Sequence, residues 1–410
     1  MNILFFAHFA GSPHHGMVYG HYYLAREWVN EGHNVTIVAA SYAHTRYAQP
    51  VQSRQITAES IDGIRYVWVP TPPYDPRSGI GRVRNILSFS FRCRFSKLPI
   101  EHADLIICSS HHPFPIYAAR RYASKFNARL VFEVRDLWPL SLIELGDISR
   151  KNPFIAWMQC AEDQAYKKAD HVVSVLPGAK EYMISHGMAP EKFIFIPNGT
   201  NLEEKNQVHP LPDAHVQQME KWKDEGRFLI GYAGKLGLSN ALHTLLEALA
   251  LCQDEQIAVV LMGSGAFLND LKTRTSELHI EDSVLFLDPV SKEQVASFLE
   301  LMDITYIGLQ KKPMFQYGVS PTKLNDFMLA GKPVIYAVDA PGNIVEESGG
   351  GISCEPEDPE ALSRAMLAMK NLGQARRDEM GARGRAWIMA NRDYRVLAER
   401  FLAAVTRNPG

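Results

Sequence analysis

Residues 318–335 read GVSPTKLNDFMLAGKPVI, a loop, a capped helix and a buried strand in quick succession. Ser320 suits the N-cap, and Pro321 suits the first helical position, where a missing N–H costs nothing. The amides of Thr322, Lys323 and Leu324 then leave the helix start without intrahelical partners. With the positive end of the helix dipole they make an anion site. Asp326 follows one turn on, on the same face, placed to take the two hydroxyls of a ribose whose diphosphate rests on the helix start. Gly331 ends the helix and Val334-Ile335 enters a strand. Ordinary capping explains the same serine, proline, glycine and acid, so the rest of the chain decides between a plain capped helix and a nucleoside-diphosphate cradle.

Working outward, strand, glycine loop and helix recur. Asn2–Ala7 is a short apolar run, followed by Gly11-Ser12-Pro13-His14-His15-Gly16 and a helical pattern from Val18 to Glu31. Gly32-His33 closes that helix and the β-branched run Asn34–Ala40 completes a βαβ unit. Further strands are expected at Ile64–Val69, Leu105–Ser109, Leu130–Val134, His171–Ser174 and Phe193–Ile196, with helices between. The pattern then restarts with a strand at Arg227–Ala233, a loop at Gly234–Asn240 and a helix at Ala241–Leu251. Strands follow at Ile257–Met262, Val284–Leu287, Ile304–Gly308 and Pro333–Val338. Near-continuous apolar strands alternating with helices predict α/β architecture, with parallel sheets covered on both faces. Two doubly wound, Rossmann-like domains are expected, residues 1–200 and 214–390, joined by the polar, proline-bearing stretch Asn201–Asp213. The tail, Asp358–Arg407, reads as helical, and its last helix, 393–410, is expected to cross back onto the first domain. Such a pair places a ligand cleft between the carboxyl ends of the two sheets.

Composition sets the bounds. The chain has 410 residues and is 46% hydrophobic, enough for two separate cores. Residues 1–200 hold 21 Lys and Arg against 16 Asp and Glu, a net +5, and the remainder 22 against 29, a net −7. The asymmetry suits different partners for the two halves and is too mild for nucleic acid. Cys93, Cys108, Cys160, Cys252 and Cys354 show no CxxC spacing, which fits a reducing cytoplasm and no metal framework. No apolar run approaches the roughly 20 residues of a membrane span, and the amino terminus lacks the basic region of a signal peptide.

One segment breaks the charge balance. Arg77, Arg82, Arg84, Arg92, Arg94 and Lys97 occur without an intervening acid. Ile80, Val83, Leu87, Phe91, Phe95 and Leu98 fall among them at helical spacing. Residues 77–98 therefore suit a basic amphipathic helix resting on the inner face of an anionic membrane. The alternation over Phe89–Phe95 fits a strand as well, and an apolar stripe also fits a core face.

Four loops at consecutive strand ends would line the cleft from the second half. Gly234–Asn240 offers Lys235 as a cation; Gly263-Ser264-Gly265 lets a ligand approach the main chain; Asp288-Pro289-Val290 frames a base with backbone groups; Ser320–Asp326 is the cradle. Turn geometry alone places glycine in such loops, but four together, with one lysine and one aspartate complementing a nucleotide, favour the ligand.

The combination resembles glycosyltransferase family 4, the retaining nucleotide-sugar transferases of GT-B fold, over nearly the whole chain. The resemblance rests on GHNVTIVAA at 32–40, Ile196-Pro197-Asn198-Gly199, Gly234-Lys235-Leu236, LMGSGA at 261–266 and the 318–335 segment. Within the family the chain looks most like bacterial enzymes that extend O-antigen or capsule oligosaccharides, including N-acetylfucosamine transferases. Those share the Gly-Val-Ser-Pro-x-Lys form and an Arg-Asp-x-Trp-Pro element, here Arg135-Asp136-Leu137-Trp138-Pro139. The resemblance implies transfer of a sugar from a UDP-sugar to a lipid-diphosphate-linked saccharide with retention of configuration, without a cofactor. Metal independence is expected because no Asp-x-Asp motif is present to hold a divalent cation.

The residues depart from the family pattern at three places, one of them the region after the Leu130–Val134 strand, where many members have a histidine and Arg135 and Asp136 stand here. The usual signature is two glutamates separated by seven residues; Asp326 matches the second, and Gly318 stands at the first. The arginine and lysine that hold the diphosphate fall at Lys235 and Asn240, so one cation is lost. By this resemblance the donor is held by Gly16, Lys235, Asn240, Gly263, Val290, Ser320, Thr322, Lys323, Leu324 and Asp326. In a front-face reaction the leaving phosphate itself takes the acceptor proton, and the protein supplies positioning and charge. Asp136 is the candidate to orient acceptor or sugar, with Arg135 beside it and His15 in the first glycine loop; His14, His111 and Asn198 are candidates for the acceptor side. Each has a plainer reading. Asp136 caps the turn before Trp138-Pro139, adjacent loop histidines are solvated, and Asn198-Gly199 makes a turn. Two rival functions stand beside the transferase: a nucleotide-sugar 2-epimerase of the UDP-N-acetylglucosamine type, which uses the same fold, and a non-catalytic nucleotide-binding subunit.

Overall fold

The computed structural model describes residues 1–16, 20–51, 53–144, 146, 148–203, 209–252 and 256–407. The expected helix start at Val18, part of the expected linker (204–208) and the end of the expected last helix (408–410) lie outside the described residues. The chain divides into two compact units. One comprises Met1–Asn198, Tyr317–Ser320 and Tyr394–Gly410; the other comprises Gly199–Gln316 and Pro321–Asp393.

The first unit is built on β1 (Asn2–Phe6), β2 (Asn34–Ala40), β3 (Thr57–Ile61), β4 (Ile64–Val69), β5 (Leu105–Ser110), β6 (Arg129–Val134), β7 (His171–Ser174) and β8 (Phe193–Phe195). The sheet order is β3-β4-β2-β1-β5-β6-β7-β8. Its central pairs are parallel, Ile3 opposite Val35 on one side of β1 and opposite Leu105 on the other. The helices are α1 (Gly20–Asn30), α2 (Gly79–Phe95), α3 (Ile116–Phe126), α4 (Leu140–Glu144), α5 (Pro153–Lys168) and α6 (Lys180–Ser185). Alternation along β1 divides the core: Ile3 and Phe5 face one cluster, Leu4 and Phe6 the other, as the period of two dictates. The antiparallel edge strand β3 escaped the sequence reading because its Thr-Ala-Glu-Ser-Ile run is polar. The signal was there in Asp62-Gly63, both at positive φ (51° and 77°), the pairing that two-residue hairpins favour.

The second unit contains β9 (Phe228–Ala233), β10 (Ile257–Met262), β11 (Val284–Leu287), β12 (Ile304–Gly308), β13 (Val334–Ala337) and β14 (Gly351–Ser353), ordered β11-β10-β9-β12-β13-β14. Every pair in it is parallel. Its helices are α7 (Asp213–Asp224), α8 (Leu242–Ala250), α9 (Leu268–Glu277), α10 (Val295–Glu300), α11 (Thr322–Leu329), α12 (Ile344–Ser348), α13 (Pro359–Asn371) and α14 (Gln374–Asn391). Leu245, Leu246 and Met366 are wholly buried in its core. β14 was not anticipated; three residues with a glycine make no apolar run.

Two segments rejoin the first unit. The helix α15 (Tyr394–Thr406) packs on α1. The Trp28 indole, fully buried, donates to the Ala398 carbonyl at 3.1 Å and meets Phe401 edge-on, and Tyr23 stacks on Tyr394. The short stretch Tyr317–Ser320 also belongs here. The Gly178 amide donates to the Tyr317 carbonyl at 2.9 Å, and Tyr317 lies against Tyr182.

Each sheet reverses its winding once, between β1 and β5 in the first and between β9 and β12 in the second. Ligands of doubly wound sheets bind at the carboxyl ends beside such a switch. The chemistry-bearing residues gather at both. Among the described residues no helix is long and apolar enough to cross a membrane.

Candidate functional site

In the second unit, β9 and β10 are followed directly by Gly234 and Gly263, at φ of 146° and 149°. A Cβ on Gly263 would stand 1.9 Å from the Gly234 carbonyl oxygen, and one on Gly265 2.0 Å from that of Leu236. The Leu236 amide donates to the Ser264 carbonyl at 2.9 Å. Gly263 was expected to be bare so that a ligand could approach. Gly263 lines the cavity described next, and its glycine has a second reason: the space a side chain would need is filled by the neighbouring loop, so that the two loops interlock.

The interlocked loops close one side of a cavity of about 470 Å³, also lined by Lys235, Pro289, Val290, Lys323 and Asp326. Lys323 reaches back from α11. Its Nζ donates to the Tyr232 hydroxyl at 2.9 Å and to Asn240 Oδ1 at 2.6 Å, and lies 4.8 Å from the centre of the Tyr232 ring. Tyr232 and Asn240 in turn donate to the Lys235 carbonyl, at 2.8 and 3.0 Å. Burial pulls the Lys323 amine down to about 8. Asn240, expected at the place of a lost cation, is buried with its amide committed to Lys235 and Lys323; it shapes the loop. The Lys235 side chain is exposed.

The start of α11 differs from the expectation by one residue. Pro321 is the N-cap, and Ser320 makes no capping bond because its hydroxyl accepts from the Asn198 amide at 3.1 Å. The Leu324 amide already donates to the Pro321 carbonyl at 3.1 Å, and the Leu324 side chain is buried. The amides of Thr322 and Lys323 precede that first bond, so two amides and not three face outward at the positive end of the dipole.

In the first unit, the switch between β1 and β5 holds a buried histidine cluster. His8 follows β1 and His112 follows β5; His8 Nδ1 is 2.7 Å from His112 Nε2, and His8 Nε2 is 2.7 Å from Asn85 Oδ1. The Asn85 amide nitrogen donates to the Pro72 carbonyl at 2.9 Å, so its oxygen must face His8. His8 therefore donates from Nε2 and accepts at Nδ1, and His112 donates to it. Burial holds both imidazoles well below the ordinary value and neutral at pH 7. His111 is depressed by burial as well, and meets Phe9 edge-on.

A charged chain runs beside it. The buried Glu133 carboxylate takes Arg135 Nη1 at 3.2 Å and lies 3.3 Å from His21 Nε2. Burial pushes that carboxyl up, but Arg135 and His21 outweigh it and hold it at about 2. Arg135 Nη2 also donates to Asn198 Oδ1 at 2.5 Å, and Asn198 Nδ2 to the Ser320 carbonyl at 2.9 Å. The turn expected at Asn198 is thus a junction between Arg135 and Ser320. Asp136 lies next to this chain but outside it. Its Oδ1 accepts from Ser141 Oγ at 2.6 Å and from the Leu137 amide at 3.0 Å, and burial raises its pKa. The structure favours the capping reading of this residue.

In the first glycine loop His14 is exposed and His15 is buried. His15 pairs with Ser12 Oγ at 2.8 Å, lies edge-on to Trp68, and is pulled down to about 4 by burial and then by Arg46. Gly16 adopts φ of 70°, with the Tyr47 ring where a Cβ would go. Its glycine is required by the chain's own turn, whether or not a ligand approaches.

Gly318, where the family signature has an acid, has φ of 99°, and a Cβ there would stand 2.4 Å from Pro177 Cδ. Both the backbone and its neighbour exclude a side chain, so the departure is built into the fold.

Compared with known proteins, residues 15–204 match the family model Glycosyltransferase Family 4 and residues 216–387 the model Glycosyl transferases group 1. Between them the two matches take in most of the chain, which is therefore a glycosyltransferase of the GT-B fold. Among relatives, it is 26% identical over 293 residues to the probable glycosyltransferase WbjE of Pseudomonas aeruginosa, covering 70% of this chain and 69% of that one. It is 24% identical over 349 residues, 82% and 84% of the two chains, to the putative colanic acid biosynthesis glycosyl transferase WcaI of Escherichia coli. Among solved structures, Anabaena HepE in complex with UDP-glucose superposes with a TM-score of 0.65 at 14% identity, over 99% of each chain.

Sequence reasoning missed Tyr232, Glu133, His8 and His21. Glu133 had a readable signal, since an acid inside the apolar strand Arg129–Val134 demands a buried partner. His8, directly after β1, had a positional one. Tyr232 had none, because a tyrosine in an apolar strand reads as core.

Proposed function

We propose that this glycosyltransferase moves a sugar from a UDP-sugar, with retention of configuration, to a lipid-diphosphate-linked saccharide during assembly of a bacterial surface polysaccharide. The cavity of the second unit carries the reading. Two outward amides at the α11 start, the Lys323 ammonium and the exposed Lys235 complement a diphosphate, Asp326 complements ribose hydroxyls, and the main chain at Pro289-Val290 suits a base. These positive groups take the charge role that a divalent cation fills elsewhere, so activity is expected to persist in a chelator. The solved HepE complex with UDP-glucose and the colanic acid and WbjE relatives support the donor class and the polysaccharide setting. Arg135, fixed by Glu133 and Asn198, is the residue we assign to orienting substrate in the first unit. Asp136→Asn, which keeps the capping oxygen, is expected to turn over like wild type.

The test has two stages. A thermal-shift panel of UDP, GDP, ADP and their sugars should single out a uridine ligand. The preferred UDP-sugar is then incubated alone and with a lipid-diphosphate-linked saccharide, and the product linkage is read by NMR. Transfer with an unchanged anomeric configuration is expected. Epimerised donor in the absence of acceptor identifies the epimerase, and tight UDP binding without turnover on any acceptor identifies a binding subunit; either overturns the proposal.

A further inference from the structure

The basic segment at 77–98 is a helix, and its two faces have opposite fates. Asn85, Ile86, Phe89 and Cys93 form the buried face of α2. Positions 80, 84, 91 and 95 fall on the opposite stripe at the helical period. Ile80, Phe91 and Phe95 are 86%, 64% and 63% exposed, and Arg84 is exposed among them. Phe91 and Phe95 pack on each other at 4.6 Å between ring centres, and the Arg94 guanidinium lies 5.2 Å from the Phe95 ring. Of the apolar positions that suggested a bilayer face in the sequence, Val83 and Leu87 are half-buried and Leu98 is buried.

The neighbouring helix extends this surface. α3 packs against α2, and Arg121 donates to the Arg94 carbonyl. α3 adds Arg120, Arg121 and Lys125, and neither helix contains an acid. An acid-free pair of helices with large apolar side chains standing out among arginines is poorly suited to water and well suited to a headgroup layer. Cations meet anionic lipid while aromatic rings enter the acyl boundary.

We infer that the outer face of α2, with the basic edge of α3, docks on an anionic bilayer, with Phe91 and Phe95 inserted and Arg84, Arg94 and Arg121 on the headgroups. The inference is independent of the donor, since it concerns binding in the absence of nucleotide. It also gives α2 two tasks in one helix. Asn85 on its inner face holds the His8–His112 pair at the carboxyl ends of β1 and β5, so the element resting on lipid is also the one that orders the end of the sheet.

The full chain is sedimented with vesicles of phosphatidylcholine alone and of phosphatidylcholine with phosphatidylglycerol, at low and high salt. Binding to the anionic vesicles alone, weakened by salt, is expected. Arg84→Glu/Arg94→Glu should lower the partition at least tenfold, given a several-fold effect per basic residue near a charged surface. Phe91→Ser/Phe95→Ser should lower it comparably without altering the melting temperature, because both rings are exposed. Equal binding to neutral vesicles, no binding to either, or variants that pellet like wild type would each overturn the inference. So would capture of an acidic polypeptide or an RNA homopolymer in place of vesicles, which would assign the surface to that class of partner.

Discussion

Lys323 permits a stringent test of the donor cavity, because its amine is held in an environment that disfavours its charge. Desolvation lowers it from 10.5 to about 8. At about 1.4 kcal/mol per pH unit, that is on the order of 3 kcal/mol against the ammonium in the folded protein. The folded value lies below the unfolded one, so between about 8 and 10.5 the unfolded chain binds more protons than the native chain. Stability therefore rises with pH across that window, and the penalty is fully present below about 8. A diphosphate in the cavity reverses the balance by pairing the ammonium. UDP affinity should then fall as pH rises past about 8, approaching tenfold per pH unit while the bound lysine stays protonated. The comparison is Lys323→Met, which keeps the volume and removes the charge. Urea unfolding at about pH 7 and about pH 10 should show the stability difference between wild type and variant change by roughly 3 kcal/mol in favour of wild type at the higher pH. UDP titration calorimetry should show weakened binding in the variant with the alkaline loss of affinity gone. A Lys323→Met protein with wild-type UDP affinity and an unchanged pH profile would refute the assignment of this amine to the diphosphate.

Three further outcomes are expected. Gly263→Ala places a methyl 1.9 Å from the Gly234 carbonyl; it should separate the interlocked loops, lower the melting temperature and abolish UDP binding, and a variant that binds UDP normally counts against that packing. Gly318→Glu, which restores the family acid, should lose about 1–3 kcal/mol from backbone strain alone and gain no activity; chemical denaturation and a transfer assay check both parts. Glu133 has a folded value near 2 against an ordinary 4.5, so its contribution is complete above about 4.5 and lost as pH falls toward 2. Unfolding of Glu133→Gln should lack that acid-range loss, on the order of 3 kcal/mol, while at neutral pH the variant should leave Arg135 without its carboxylate and reduce turnover.

The sequence by itself determined the parts of this protein that depend on neighbours along the chain. Apolar runs of four to seven residues alternating with helical periods specified two parallel sheets, because each strand and helix must bury a face whose period is written locally. The cavity's roster was legible in part for the same reason: Lys323 and Asp326 lie a turn apart on one helix, and Val290 follows a strand. Tertiary structure decided what each residue spends its bonding groups on. Whether Gly263 makes room for a ligand or for Gly234, whether Asp136 faces a substrate or Ser141, and whether Asn240 contacts a donor or Lys235 depend on atoms from other elements. So does the fate of the stripe on α2, since a helical period marks two faces and only the neighbours packed against one of them leave the other in water.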